Sequence, residues 1–164
     1  MKFSSTALST LSAAALGFLA LGIASTPAGA AVTTATFAVT ANVAANCSIS
    51  ATGMAFGSYT GALINTTTST ITVQCTNTTG YTVGLNAGLA TGATTANRSM
   101  TGPGSALLNY GLFSDAARGS NFVTTTSTNG NGAAQQITVY GSVPAGQFVT
   151  PGAYTDTITA TVTY

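Results

Sequence analysis

Few side chains in this protein can do chemistry. Its 164 residues hold three basic side chains, two acids and no histidine. The acids are Asp115 and Asp156. Two carboxylates are the minimum equipment for acid–base cleavage of a glycosidic bond, but the surroundings of these two point elsewhere. Asp115 stands in the turn-like run Ser114-Asp115-Ala116-Ala117-Arg118-Gly119, where an Asp accepts backbone N–H bonds. Asp156 lies in an alternating strand-like run, and bonding to a loop amide is its expected use. A serine or cysteine nucleophile needs a base to take its proton, and with no His and with Lys2 as the lone lysine none is on offer. Two acids and two cysteines do not make a metal site. The expectation is a protein that is not an enzyme and uses no cofactor or metal.

Cys47 and Cys75 are the only cysteines. An even number of cysteines in an exported chain points to a disulfide, and with two the pairing is unambiguous. Closing a loop of about 28 residues is worth roughly 3–4 kcal/mol on chain-entropy grounds. The competing use, a reactive thiol, lacks any neighbour that would lower its pKa by sequence.

Export is read from the start of the chain. Met1 and Lys2, an apolar run over residues 11–23, and Ala28-Gly29-Ala30 have the order of a secretory signal peptide over residues 1–30, cut after Ala30. A membrane anchor needs about 20 apolar residues, and this run is shorter and interrupted by Gly17 and Gly22. Once Lys2 is removed, Arg98, Arg118, Asp115 and Asp156 are the only charged side chains, and they cancel. Nucleic acid is excluded as a partner, because its affinity comes from several cations neutralising phosphates. A surface near zero net charge favours association between molecules.

The elements that must position these residues follow from period-two alternation. Strands are expected at residues 71–76, 81–86, 107–113, 137–143 and 154–164, with shorter pieces at 47–50 and 54–59, and loops at 89–95 and 124–134. Ile71, Val73 and Cys75 share one face, as do Tyr81, Val83 and Leu85, and Leu108, Tyr110 and Leu112. No helical period and no fixed repeat occur, so the expected fold is one all-β sandwich domain. Asn129-Gly130-Asn131-Gly132 supplies the positive φ values of a tight reversal. Thr155, Thr157, Thr159, Thr161 and Thr163 line one face of the last strand, which suits a solvated sheet surface better than an ice-matching array. Triplets such as Asn65-Thr66-Thr67 fit the glycosylation pattern, as Thr-rich sequence does by chance. A further alternating strand, residues 35–43, precedes the domain, and a free N-terminal strand can be lent to a neighbouring molecule.

An ordered series of motifs carries a resemblance: Cys47-Ser48-Ile49, Phe56-Gly57, Ile71-Thr72-Val73-Gln74-Cys75, Arg98-Ser99-Met100, Leu108-Asn109-Tyr110-Gly111-Leu112-Phe113-Ser114-Asp115, Val139-Tyr140-Gly141-Ser142-Val143-Pro144 and Gly152-Ala153-Tyr154-Thr155-Asp156-Thr157. Together they resemble the spore coat protein U domain, a family that includes the Csu-type pilins of archaic chaperone-usher systems. The resemblance implies an incomplete immunoglobulin-like β-sandwich over residues 46–164, completed by donor-strand exchange. It implies a donor strand within residues 31–45 whose Phe37, Val39, Ala41 and Val43 insert into a neighbour, Ala41 being smaller than the usual bulky donor residue. It also implies a C-terminal strand, with Ile158, Ala160, Val162 and Tyr164, that a periplasmic chaperone captures. The implied partners are identical or related pilin subunits, that chaperone and an outer-membrane usher, with no small-molecule substrate. The implied destination is a cell-surface pilus serving adhesion or biofilm formation. The length suits a shaft or minor linking subunit, since tip adhesins of these systems carry two domains. Two alternatives stay open: a spore or cell coat protein with the same assembly chemistry, and a secreted carbohydrate-binding module using Tyr59, Tyr140 and Phe148 as surface aromatics.

Overall fold

A computed structural model describes residues 28–125 and 127–164; most of the expected signal peptide, residues 1–27, lies outside the described residues. The chain divides into a unit ending at Thr40 and a second over Ala41–Tyr164. The described part of the first unit has no strand and is exposed throughout. The second holds the sandwich.

Its strands are β1 (Cys47–Ala51), β2 (Asn65–Cys75), β3 (Gly80–Leu85), β4 (Arg98–Thr101), β5 (Leu107–Phe113), β6 (Thr128–Asn129), β7 (Gln135–Val143) and β8 (Ala160–Thr163). They build a five-stranded sheet in the order β1-β2-β7-β5-β4 and a three-stranded sheet in the order β6-β3-β8. Every ladder between these strands is antiparallel. The inner-face triplets of β2, β3 and β5 are all buried, joined by Val139 and Val143 of β7 and by Phe122 from a loop. Alternation therefore produces the core it predicts in β2, β3 and β5, where one face is buried and the other is more exposed.

Cys47 and Cys75 form the expected disulfide. They stand directly opposite in the β1–β2 register, so the bridge staples the edge strand β1 to the sheet. Asp115 acts as its turn composition predicts. It accepts the Gly119 N–H at 3.1 Å and the Ser120 N–H at 2.7 Å, and those bonds hold its carboxyl below the usual value. A depressed folded pKa means that the stabilisation is present above the ordinary carboxylate range and is lost as pH falls through the folded value.

Four expectations are corrected. Residues 54–59 form no strand: Met54 and Phe56 alternate towards the core, Tyr59 follows out of period, and the backbone joins no ladder. The last strand is Ala160–Thr163 rather than residues 154–164, with Thr155 making only an isolated bridge to Thr101. Residues 35–43 are not a strand. Alternation reports which side chains face the core, and without a continuous hydrogen-bonded ladder it does not make a strand. The loop over residues 124–134 does contain a short strand, β6.

Strand β4 was not foreshadowed, because it opens on a charged residue. Arg98 has no exposed surface. Its guanidinium donates to the carbonyls of Asn86 at 2.9 Å, Thr95 at 2.6 Å and Phe122 at 3.0 Å. Burial lowers its pKa, and Tyr110 and Asp156 oppose that shift. Three carbonyls from two loops, residues 86–97 and the loop of Phe122, thus satisfy a charge that would be prohibitive alone.

The disulfide generates a test. The double variant Cys47→Ala/Cys75→Ala is expected to unfold at lower denaturant than the oxidised wild type, with a loss of about 3 kcal/mol. Equal midpoints in urea titrations would show that the bridge does not support the fold.

Candidate functional site: an open groove beside β8

Strand β1 ends the larger sheet and β8 ends the smaller one, so each has one unpaired edge. Beyond β1, residues 52–60 continue without a ladder, as do residues 156–159 before β8. Two clefts open here, one of about 400 Å³ between residues 51–56 and 154–160 and one of about 810 Å³ between residues 54–60 and 147–154. They share Met54, Phe56, Met100 and Tyr154, which makes them one continuous groove. The floor of the smaller cleft is the core itself: Ile71, Leu85, Tyr110, Leu112 and Val139.

Burial along the groove is incomplete. Ile49, Met54, Phe56, Ile158, Ala160 and Val162 are only partly buried, although they lie against residues that are fully buried. From Tyr154 to Thr163 the chain alternates half-buried and exposed positions, and the five threonines are the exposed ones. The inner side chains thus point at a space that no strand of this domain fills. An apolar groove flanked by unpaired backbone edges has the form of a site for an added strand.

One polar cluster is built into the groove wall. The Tyr110 hydroxyl donates to Asp156 Oδ2 at 2.7 Å, and Asp156 Oδ1 accepts the N–H of Leu89 at 2.8 Å and of Thr157 at 2.7 Å. Burial, then the bond to the carboxylate, pushes the Tyr110 pKa well above its ordinary value. The Phe56 ring meets Tyr110 edge-on, with centroids 6.1 Å apart. Gly88 takes φ 90° beside this carboxylate, and a Cβ there would strike Asp156. Asp156 thus anchors the segment before β8 to the 88–89 loop, the amide-bonding use expected from sequence.

The remaining sequence candidates separate. Asp115 is occupied with its turn and Asp156 with Tyr110, so each carboxylate has a structural task. Among the described residues no three His, Cys, Asp or Glu side chains gather into a metal site. Ile158, Ala160 and Val162 line one face of the last segment, while Tyr164 is 56 % exposed. Phe37, Val39 and Val43 are at least 83 % exposed, and Ala41 is exposed too. Of the three candidate surface aromatics, Tyr59 donates its hydroxyl to the Pro144 carbonyl at 2.6 Å and accepts the Gln147 N–H at 3.2 Å. Tyr140 is half-buried, and Phe148 is 86 % exposed. Met54, Met100 and Tyr154 were not singled out by sequence reasoning. The alternation of Met54 and Phe56 was their one visible signal.

Fold and groove define an immunoglobulin-like sandwich left open along one edge. The family model of the Spore Coat Protein U domain matches residues 33–161, and the chain belongs to that family. Among solved structures it is similar to a chain in the CsuC–CsuE chaperone–tip adhesion subunit pre-assembly complex from archaic chaperone-usher Csu pili of Acinetobacter baumannii. The identity is 24%, the TM-score 0.57, and the match covers 74% of this chain and 40% of that one. The likeness establishes the fold, and this chain spans well under half of that neighbour's length. Comparison with curated proteins gives no match.

The Tyr110–Asp156 bond can be measured by a double-mutant cycle. Tyr110→Phe alone is expected to cost about 1.5–3 kcal/mol, the range for bonds to charged groups, and much less in an Asp156→Asn background. Fully additive losses in thermal unfolding would show that the two groups are not coupled.

Proposed function

We propose that this chain is a structural pilin-type subunit of a chaperone-usher filament, exported through the periplasm to the cell surface. It polymerises by lending its N-terminal segment to the groove of a neighbour. The observation that carries this reading is the groove itself: unpaired strand edges over an open core, in a chain whose N-terminal segment alternates Phe37, Val39, Ala41 and Val43 with nothing covering them. Each of Phe37, Val39 and Val43 contributes roughly 1.5–3 kcal/mol gross on burial, before the cost of ordering the segment. Residues 31–45 are the donor and residues 46–164 the receiving domain.

Strand direction favours a neighbour over self-insertion. Only Ala44, Ala45 and Asn46 separate Val43 from the start of β1 at Cys47. A segment folding back into its own groove through so short a link would form a hairpin with β1 and run parallel to β8. A neighbour's segment is free to run antiparallel to β8, as every other ladder of the sandwich does, and antiparallel pairing is the more stable kind.

Until a neighbour arrives, an open apolar groove is an aggregation hazard. A periplasmic chaperone as the interim occupant, with hand-over at an outer-membrane usher, answers that need. Its contact is the face of Ile158, Ala160 and Val162, where backbone pairing along the strand gives affinity. The similarity to a subunit from a chaperone complex supports this. Adhesion or biofilm formation is the role such a filament would serve, and a coat polymer would use the same assembly. A sugar-binding module is disfavoured, because Tyr59 is engaged with the backbone and forms no exposed aromatic platform.

Deleting residues 35–43 tests the donor assignment. The shortened chain is expected to fold with the chaperone yet give no ladder of oligomers on a gel run without boiling. A full ladder from the deleted chain would refute the assignment. Replacing Ile158 and Val162 by Ser removes the apolar face of that segment. Chaperone co-purification is expected to fall at least several-fold, and unchanged recovery would show that this face plays no part.

A further inference from the structure

The two ends of the sandwich differ. At one end β1 begins, β2 finishes at its disulfide partner, and β8 finishes beside β3, Thr163 facing Thr82. At the opposite end Asn65 of β2 faces Val143 of β7, and the Gly146 N–H donates to the Gly61 carbonyl at 2.7 Å. That opposite end carries large apolar side chains that the fold leaves out: Leu63 is 77 %, Ile64 59 % and Phe148 86 % exposed. The Phe148 ring lies across Gly61, where an added Cβ would come within 3.2 Å of it. Loops 61–64 and 146–148 therefore present one patch, and the larger cleft of the groove, which Phe148 itself lines, opens beside it.

Strand direction says what meets this patch. Segment 156–163 runs from the patch end to the disulfide end. A donor strand antiparallel to it runs the other way, so Val43 emerges at the patch end of the receiving subunit. The donor's own β1 starts at Cys47, and the four steps from Val43 to Cys47 reach at most about 14 Å. The disulfide end of the incoming subunit must then sit against the patch. That end presents Ala44 and Ala45 with the turns at 76–79 and 129–132, which are tied together by the bonds of Thr78 N–H to the Gly130 carbonyl and of Gly130 N–H to the Thr79 carbonyl, each 2.8 Å. None of these segments holds a charged residue, nor do residues 61–64 and 144–149, so the two surfaces meet without desolvating an ion.

We propose that Leu63, Ile64 and Phe148 form a docking patch for the disulfide end of a second copy of this chain, a contact between subunit bodies distinct from the inserted strand. It rests on the donor-strand reading above. The strand supplies the tether, and the patch fixes the angle at each joint.

A photo-crosslinking residue, benzoylphenylalanine, placed at position 148 in filaments assembled in cells tests this directly. The expected product is a crosslinked dimer whose joined peptide, mapped by mass spectrometry, contains residues 44–46, 76–79 or 127–132 of another copy. An intact ladder on unboiled gels with no such crosslink, or with a crosslink to a different protein, overturns the docking patch alone. Absence of any ladder from the wild-type chain overturns the donor-strand reading and the patch together. As a second measurement, Leu63→Ser/Phe148→Ser is expected to keep the ladder while filament persistence length in electron micrographs falls several-fold. Unchanged stiffness would overturn the patch.

Discussion

The structure depends on the requirement that every backbone edge and apolar face find a partner, and on the one place where this chain does not meet it. β8 is bonded to β3 on one side only, and β1 closes the other sheet with its outer edge bare. Between them the inner side chains of two segments converge on space. The fully buried residues of β2 and β3 show what completion looks like, and the half-buried Ile158, Ala160 and Val162 show its absence. A sandwich built this way has a closed core and, beside β8, an open groove.

Holding the groove open requires rigid walls, and Asp156 stands in one of them. Asp156 is bonded to Tyr110 and Leu89 beside the groove. Arg98, wholly buried, draws together carbonyls from residues 86, 95 and 122. Each ties loop backbone to the core, Asp156 at residue 89 and Arg98 at residues 86, 95 and 122. The disulfide does the same for β1 at its first residue. With so little charge in the chain, two of the four charged side chains of the domain act as internal fasteners. The surface is left to Thr, Ser and Asn.

This division also explains what the sequence disclosed. The buried triplets of β2, β3 and β5 were legible because period-two alternation reports burial, and the Cys47–Cys75 pairing was legible because no alternative partner exists. Residues 54–59 and 154–159 were misjudged as strands for the same reason. Alternation records which side chains face the core, whereas a strand also needs a neighbouring backbone, and here that neighbour is missing. The discrepancy marks the groove. Arg98 and Phe122 were invisible for a different reason: the carbonyls of residues 86 and 95 meet that of residue 122, from a separate loop, only in the folded chain, and nothing in the sequence announces their convergence on a guanidinium. Met100 and Tyr154 entered the groove through the same long-range packing.

Under the proposed assembly, an acceptor and a donor on one chain make an interface that is not its own complement. Such a heterologous contact does not close on itself in a pair, as a two-fold dimer does, and continues as an open chain unless its rotation happens to make a ring. Under the proposed assembly, growth therefore has a direction. Each incoming subunit uses the groove before it and leaves its own groove, or its own segment, for the next. The inserted segment alone would act as a hinge, because only Ala44, Ala45 and Asn46 separate it from β1 and none of them is bulky enough to fix the angle. A hinge at every joint gives a flexible string, and apolar side chains left exposed at the end where the next body must arrive would convert that string into a fibre with a set pitch.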